Sequence, residues 1–409
     1  MRRTFSSLAI YNYRLFFISQ LVSVTGTWMQ SVAQMWLVLH LTGSGVALGV
    51  TAALQFLPIL LFGTFGGLLA DRLDKRLTLI ATQTAASVPA LVLGAATVSG
   101  HVQLWLVYAM AVLIGCVNAL DNPTRQSFVS EMVGRARVGN AVSLNSGTFT
   151  MARVIGPAVA GLLIGAVGTG WCFLANGFSY YPVVGALLLM RPDELHRSPP
   201  VAKEPGQIKA GLRYAWRRPQ LRLPLLLMLV VGTLAFNFSV LLPLLVQFVY
   251  HSGASTYGVL LSLMGVGSVV GALLVASRAG PTYTWLTAAA MAFGALLLVV
   301  AFMPTLGLEF VGMVPLGVAM VAFQATSNSL LQMSSSQAYR GRVMALYVTV
   351  FLGTTPVGGP IIGWVAQTFG ARTGLAVGGV ATLLAGAVAY LVVRRRNLEI
   401  AAPDEELSG

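Results

Sequence analysis

Gly67-Leu68-Leu69-Ala70-Asp71-Arg72-Leu73-Asp74-Lys75-Arg76 sets five charged residues between two long apolar runs. Such a cluster is stable only where water or lipid headgroups solvate it, so it marks a turn at a membrane surface between two spanning helices. Asp71 closes the first run, where a carboxylate can cap a neighbouring helix N-terminus and favour its positive end.

Working outward, the whole chain has the same character. Of 409 residues, 56% are hydrophobic and 9% are charged, with a mean hydropathy of +0.79. Soluble domains carry about 25% charged residues, so this composition cannot cover a water-facing surface and specifies an integral membrane protein. The net charge of +13 does not form a nucleic-acid footprint, because the basic residues recur between apolar runs. No cleavable signal peptide is expected after Arg2 and Arg3. Cys116 and Cys172 fall inside spans and predict neither a disulfide nor a zinc site, and the four histidines build no metal site.

Runs of about 20 apolar residues, long enough to cross ~30 Å of hydrocarbon, can be placed twelve times: 13–39, 46–70, 77–98, 103–122, 141–166, 170–190, 223–249, 256–277, 283–303, 306–331, 342–368 and 372–393. The first is the least apolar. Of the 25 arginines and lysines, Arg153 lies within a span and Arg372 in the last outer loop. Arg14 and Arg342 stand at the starts of their spans, and the rest fall at the termini or in the loops after even-numbered spans. The positive-inside rule therefore predicts both termini in the cytoplasm of an inner-membrane, multi-pass protein.

The apolar pattern halves at residues 191–222, which hold five prolines and eight basic residues. The expected domains are a six-helix bundle (1–190), a basic linker with an amphipathic helix (191–222), a second six-helix bundle (223–394) and a cytoplasmic tail (395–409). In the linker Ile208, Leu212, Ala215 and Trp216 share one face and Lys209, Arg213 and Arg217 another, which suits anionic lipid at the inner leaflet. Gly156-Pro157 with Gly161 parallels Gly359-Pro360 with Gly363, and Asn122-x-x-x-Gln126 parallels Asn328-x-x-x-Gln332. These near-equal offsets fit a duplicated unit, hence two pseudo-symmetric bundles.

The opening turn resembles the signature of the major facilitator superfamily, Gly-x-Leu-Ala-Asp-Arg-x-Gly-Arg-Arg, with Asp74 where the second glycine is usual. The resemblance implies a secondary transporter in which Asp71 and Arg72 brace the two halves on the cytoplasmic side, with Lys75 and Arg76 in support. The other reading of all four is loop anchorage. The second-half turn, Ala276-Ser277-Arg278, lacks the acid. Ala152-Arg153-Val154-Ile155-Gly156-Pro157 resembles the glycine-proline motif of antiporters, with Ala152 and Ala160 where glycine is preferred, and Gly156 and Pro157 become a packing hinge. Close helix packing is the plainer role. The passage from Asp121 through Gly161 is similar to the enterobactin-exporter and macrolide-efflux branch.

A guanidinium about 18 Å into a span, as Arg153 is, must pair, face water or snorkel. Asp121 is its acidic candidate. Asp121 and Glu309 are also the candidates for proton coupling, against a pairing role for the first and an interfacial charge for the second. Family geometry suggests Trp28, Gln30, Gln34, Asn118, Phe236, Asn237, Phe323 and Gln324 as cavity residues, which suit a small amphipathic organic molecule, although amides in bundles also bond neighbouring helices. No phosphate loop or catalytic constellation occurs, so the expectation is a non-enzyme driven by protons without a cofactor, acting as a monomer. An exporter working by alternating access is expected. Uptake by symport and a non-transporting sensor or assembly protein on the same scaffold are the alternatives.

Overall fold

A computed structural model describes residues 5–196, 207–278 and 280–396, except for the side chains of Thr64, Asp71, Arg135 and residues 207–211. The tail after residue 396, residues 197–206 of the linker, and the side chains of Asp71, Ile208 and Lys209 lie outside that description. Among the described residues all regular structure is helical: α1 (Tyr11–Thr42), α2 (Gly45–Arg72), α3 (Lys75–Val98), α4 (Leu104–Val133), α5 (Val138–Val167), α6 (Thr169–Leu189), α7 (Gln207–Arg217), α8 (Pro219–Leu234), α9 (Phe238–Phe248), α10 (Ala254–Ala276), α11 (Tyr283–Ala301), α12 (Leu306–Met333), α13 (Gln337–Phe369) and α14 (Ala371–Arg396).

Eleven described stretches are long and apolar enough to cross a membrane, with α8 and α9 together forming one, Pro219–Phe248. The expected first span, α1, has 32 residues but falls outside these eleven, because Thr25, Thr27, Gln30, Ser31 and Gln34 dilute its hydropathy. Phe65, Leu162, Leu273, Val311 and Leu384 are each at least 60% exposed, an apolar exterior suited to hydrocarbon and unsuited to water.

The chain divides into two compact units. The first holds Met1–Ala47, Thr51–Ala202 and Ser252–Ser262; the second holds Leu48–Val50, Lys203–His251 and Leu263–Gly409. In the first unit, Tyr13, Phe16, Leu79, Phe128, Met132, Val183 and Leu187 form a core at the basic end, and Tyr13 Oη donates to Ala141 O at 2.8 Å. In the same unit the start of α10 lies on the Gly-Pro segment of α5: Ser255 Oγ donates to Gly161 O at 2.9 Å, and a Cβ at Gly258 would stand 2.3 Å from Pro157 O. In the second unit a Cβ at Gly49 would stand 2.3 Å from Gly359 O. Both copies of the repeated Gly-Pro motif therefore mark places where two helix backbones touch.

Two expected spans differ in the structure. The fourth was expected to end at residue 122, but α4 runs on through Pro123 to Val133. Proline lacks an N–H, leaving the Ala119 carbonyl without its helical donor. Gly66 of α2 packs on that carbonyl, with space for no Cβ (2.1 Å). Asp121 is thus inside a helix and 3% exposed. The seventh span is broken rather than continuous: Ala235 N and Phe236 N both donate to Val231 O, and Asn237 Nδ2 takes the Thr233 carbonyl at 2.7 Å. A side chain using the carbonyl that a continuing helix needs ends α8 there.

Candidate functional site

Among the described residues, Asp121 and Glu131 are buried in the first unit and Glu309 in the second, and Asp121 and Glu309 each sit inside a polar network. In the first, Asp121 on α4 accepts from Thr82 Oγ1 at 2.7 Å and Gln83 Nε2 at 2.8 Å, both from α3 and both at Oδ1. Arg125 Nε lies 3.7 Å from Oδ2, one helical turn along α4. That guanidinium also donates to Asn122 Oδ1 (2.8 Å) and Gln20 Oε1 (3.3 Å) and sits 5.0 Å from the Phe149 ring centroid. A buried carboxylate with two donors and an adjacent cation has its charge compensated. The expected Asp121–Arg153 pair is therefore corrected: Arg125 is the partner, and Arg153 lies over the Trp28 ring at 5.1 Å. An i,i+4 pair needs only one helix to form, whereas Arg153 sits on a different one.

A second polar cluster lies between α1 and α6. Asn176 Nδ2 donates to Gln30 Oε1 at 2.6 Å, Ser179 Oγ donates to Asn176 Oδ1 at 3.0 Å, and Tyr180 Oη lies 3.4 Å from Asn176 Nδ2. Gly26 makes room for it, since a Cβ there would lie 2.4 Å from Asn176 Oδ1.

In the second unit, Glu309 in the first turn of α12 is fully buried. Its Oε2 lies 3.0 Å from Tyr250 Oη, which is also 3.1 Å from Met303 O. Arg372 Nη2 donates to the same carbonyl at 2.9 Å. Glu309 is thus enclosed by the turn between α11 and α12, Tyr250 and Arg372.

The aromatic candidates gather in the second unit. Phe236, at the break after α8, has Phe293, Phe323 and Phe351 ring centroids at 5.6, 6.4 and 6.2 Å. Phe323 is fully buried. Of the amides, Gln30 is bonded to α6 and Asn237 to its own helix, while Gln34 is buried with Nε2 lacking a partner. Trp28, Asn118 and Gln324 are half-buried.

The basic turn is built as a brace inside the first unit. Asp74 Oδ1 accepts from Leu77 N at 3.1 Å and so caps α3. Lys75 Nζ forms an ion pair with Glu131 near the end of α4. Arg76 donates through Nε to Leu187 O (2.6 Å) and through Nη2 to Leu188 O (3.1 Å), occupying the last carbonyls of α6. Arg72 is exposed. Among the described residues, no three His, Cys, Asp or Glu side chains come together as metal ligands would.

Residues 2–406 match the transmembrane secretion effector family. The chain belongs to this family of the major facilitator superfamily. Its relatives include the staphyloferrin A transporter of Staphylococcus aureus (23% identical, covering 97% of this chain and 100% of that one). Others are the multidrug efflux pump Tap of Mycolicibacterium fortuitum (27%; 95% and 97%) and the enterobactin exporter EntS of Shigella flexneri (23%; 93% and 91%). The fold is also that of a bacterial homologue of the human lysosomal transporter Spinster, solved inward-facing and unoccupied, with a TM-score of 0.77 at 15% identity over 96% of this chain and 98% of that one. For this member of the family, several network residues escaped the reading of the sequence: Gln20, Thr82, Gln83, Arg125, Glu131, Asn176 and Tyr250. The signal for most was a polar side chain inside an apolar run, and for Arg125 its four-residue spacing from Asp121.

Proposed function

We propose that this chain exports a small amphipathic organic molecule, a siderophore or a drug-like compound, across the cytoplasmic membrane in exchange for protons. The observation that carries the reading is the match, over nearly the whole chain, to proteins named as an efflux pump and an exporter. The buried acids add chemical support: Asp121 in the first unit and Glu309 in the second are enclosed carboxyl groups, and a charge in such a place needs a use or a partner. The phenylalanines around Phe236 suit an apolar cargo better than a sugar. Alternating access would proceed without a cofactor, in a monomer with cytoplasmic termini and with Lys209, Arg213 and Arg217 on anionic lipid. Asp71 and Arg72 would hold the cytoplasmic side shut, Lys75 and Arg76 would support them, and Gly156-Pro157 would serve as the packing hinge. The protein would perform no covalent chemistry.

The test uses proteoliposomes with an internal pH-sensitive dye, an imposed proton gradient and a panel of lipophilic cations, macrolides and catecholate siderophores. Cargo moving against protons supports antiport. Cargo moving with protons turns the assignment to uptake. Folded protein that moves nothing across the panel favours a sensor or assembly role.

A further inference from the structure

The buried acids Asp121 and Glu309 differ in their hydrogen-bond partners. Asp121 is surrounded by donors, Thr82 Oγ1, Gln83 Nε2 and the Arg125 guanidinium. These are the surroundings of an anion. Glu309 has different neighbours. Tyr250 carries one O–H and has two acceptors within reach, Met303 O and Glu309 Oε2, so it cannot donate to both. Arg372 directs Nη2 to Met303 O. Glu309 Oε1 is buried with no hydrogen-bond partner. An ionised Glu309 would draw the Tyr250 O–H from Met303 O, which keeps Arg372 as its donor, and would leave a buried anionic oxygen bare, which is costly. With Glu309 as a carboxylic acid the bonds close: Oε2–H donates to Tyr250 Oη, the Tyr250 O–H goes to Met303 O, and the bare Oε1 is a neutral carbonyl oxygen.

We propose that Glu309 is the group that binds and releases a proton in the transport cycle, and that it is protonated in this conformation. This rests on the proton-exchange reading above. Release breaks the Oε2–H bond, passes the proton to water at that end of the helices, and leaves a carboxylate. The charged and titratable groups facing it are Tyr250, after α9, and Arg372, in the first turn of α14. A carboxylate would draw the Arg372 guanidinium away from Met303 O. That exchange unties α14 from the α11–α12 turn, which links the proton to a movement of helices.

The test is infrared spectroscopy of the full chain in lipid nanodiscs at neutral pH, with the proton itself as the probe. The wild type minus Glu309→Gln difference should show the C=O stretch of a protonated carboxyl group, and Asp121→Asn should retain that band. Glutamine can donate to Tyr250 Oη as the acid does, so the variant should melt with the wild type. Tyr250→Phe, which keeps the ring, should move the band without abolishing it. Transfer to D2O should shift the wild-type band within minutes. No band, a band that survives in Glu309→Gln, or one that stays unshifted for hours would overturn the proposal, the last making Glu309 a sealed structural acid. The readout needs no cargo. A silent transport panel with an exchangeable Glu309 band therefore sinks the export reading, and proton-driven flux without the band sinks the assignment to Glu309.

Discussion

Arg125 stands one turn beyond Asp121 on α4, its Nε 3.7 Å from Oδ2, with 15% and 4% of the two side chains exposed. Breaking a buried pair by removing one partner strands the other charge and typically costs about 3–5 kcal/mol. Asp121→Asn is therefore expected to lower thermal stability in detergent by several degrees. Combining it with Arg125→Gln should cost less than the two single changes added together. Additive losses in that double-mutant cycle would show that the two groups do not interact.

Asp74 stands where the superfamily motif usually has glycine, and its carboxylate caps α3 through Leu77 N. Replacing an N-cap aspartate by alanine costs about 1 kcal/mol, and by glycine only a few tenths. Asp74→Ala should thus be measurably less stable than Asp74→Gly in a denaturation series. Equal losses would mean that the cap contributes little.

The Gly258–Pro157 and Gly49–Gly359 approaches leave 2.3 Å for any added Cβ. Gly258→Val and Gly49→Val should each reduce transport rate and melting temperature sharply. Gly139 and Gly147, in α5, have nothing within 4 Å of the Cβ position. Alanine at either should stabilise α5 by about 0.5–1 kcal/mol, the helix penalty of glycine. Unfolding curves for the four variants check both halves of this expectation.

Tyr214 of α7 stacks on Tyr339 of α13, with centroids 4.2 Å apart and planes 7° from parallel, and Ser336 N donates to its hydroxyl oxygen at 3.2 Å. Aromatic pairs are worth about 0.5–1.5 kcal/mol beyond burial. Tyr214→Ala should release α7 and speed proteolytic cleavage of the linker around residues 191–222, whereas Tyr214→Phe, keeping the stack, should stay near the wild-type rate. Limited proteolysis followed by mass mapping distinguishes the two.

Much of the architecture was legible before any coordinates. Apolar runs marked the spans, and the 203- and 206-residue offsets of the Gly-Pro and Asn-x-x-x-Gln features pointed to a duplication. The candidate site was legible in part. Asp121, Glu309, Phe236 and Phe323 were singled out, but Arg125, Glu131 and Tyr250 were not. Proline misled the reading at α4, where Pro123 looked like an end and is carried through because Gly66 backs onto the freed carbonyl. At α8 the reverse held: an apolar run looked continuous, and Asn237 interrupts it by taking the Thr233 carbonyl.

By itself the sequence determined the membrane class, the positions of the long apolar helices and the one-sided distribution of arginine and lysine, because hydropathy and charge act along short segments and add up locally. The tertiary structure decided the pairings: Asp121 with Arg125 rather than Arg153, Lys75 with Glu131, and Glu309 with a tyrosine already committed to a carbonyl. Partner choice depends on how each helix is rotated about its axis and where it crosses its neighbours. Those angles are set by packing around glycines such as Gly26, Gly66 and Gly258, which residues distant in the chain settle together.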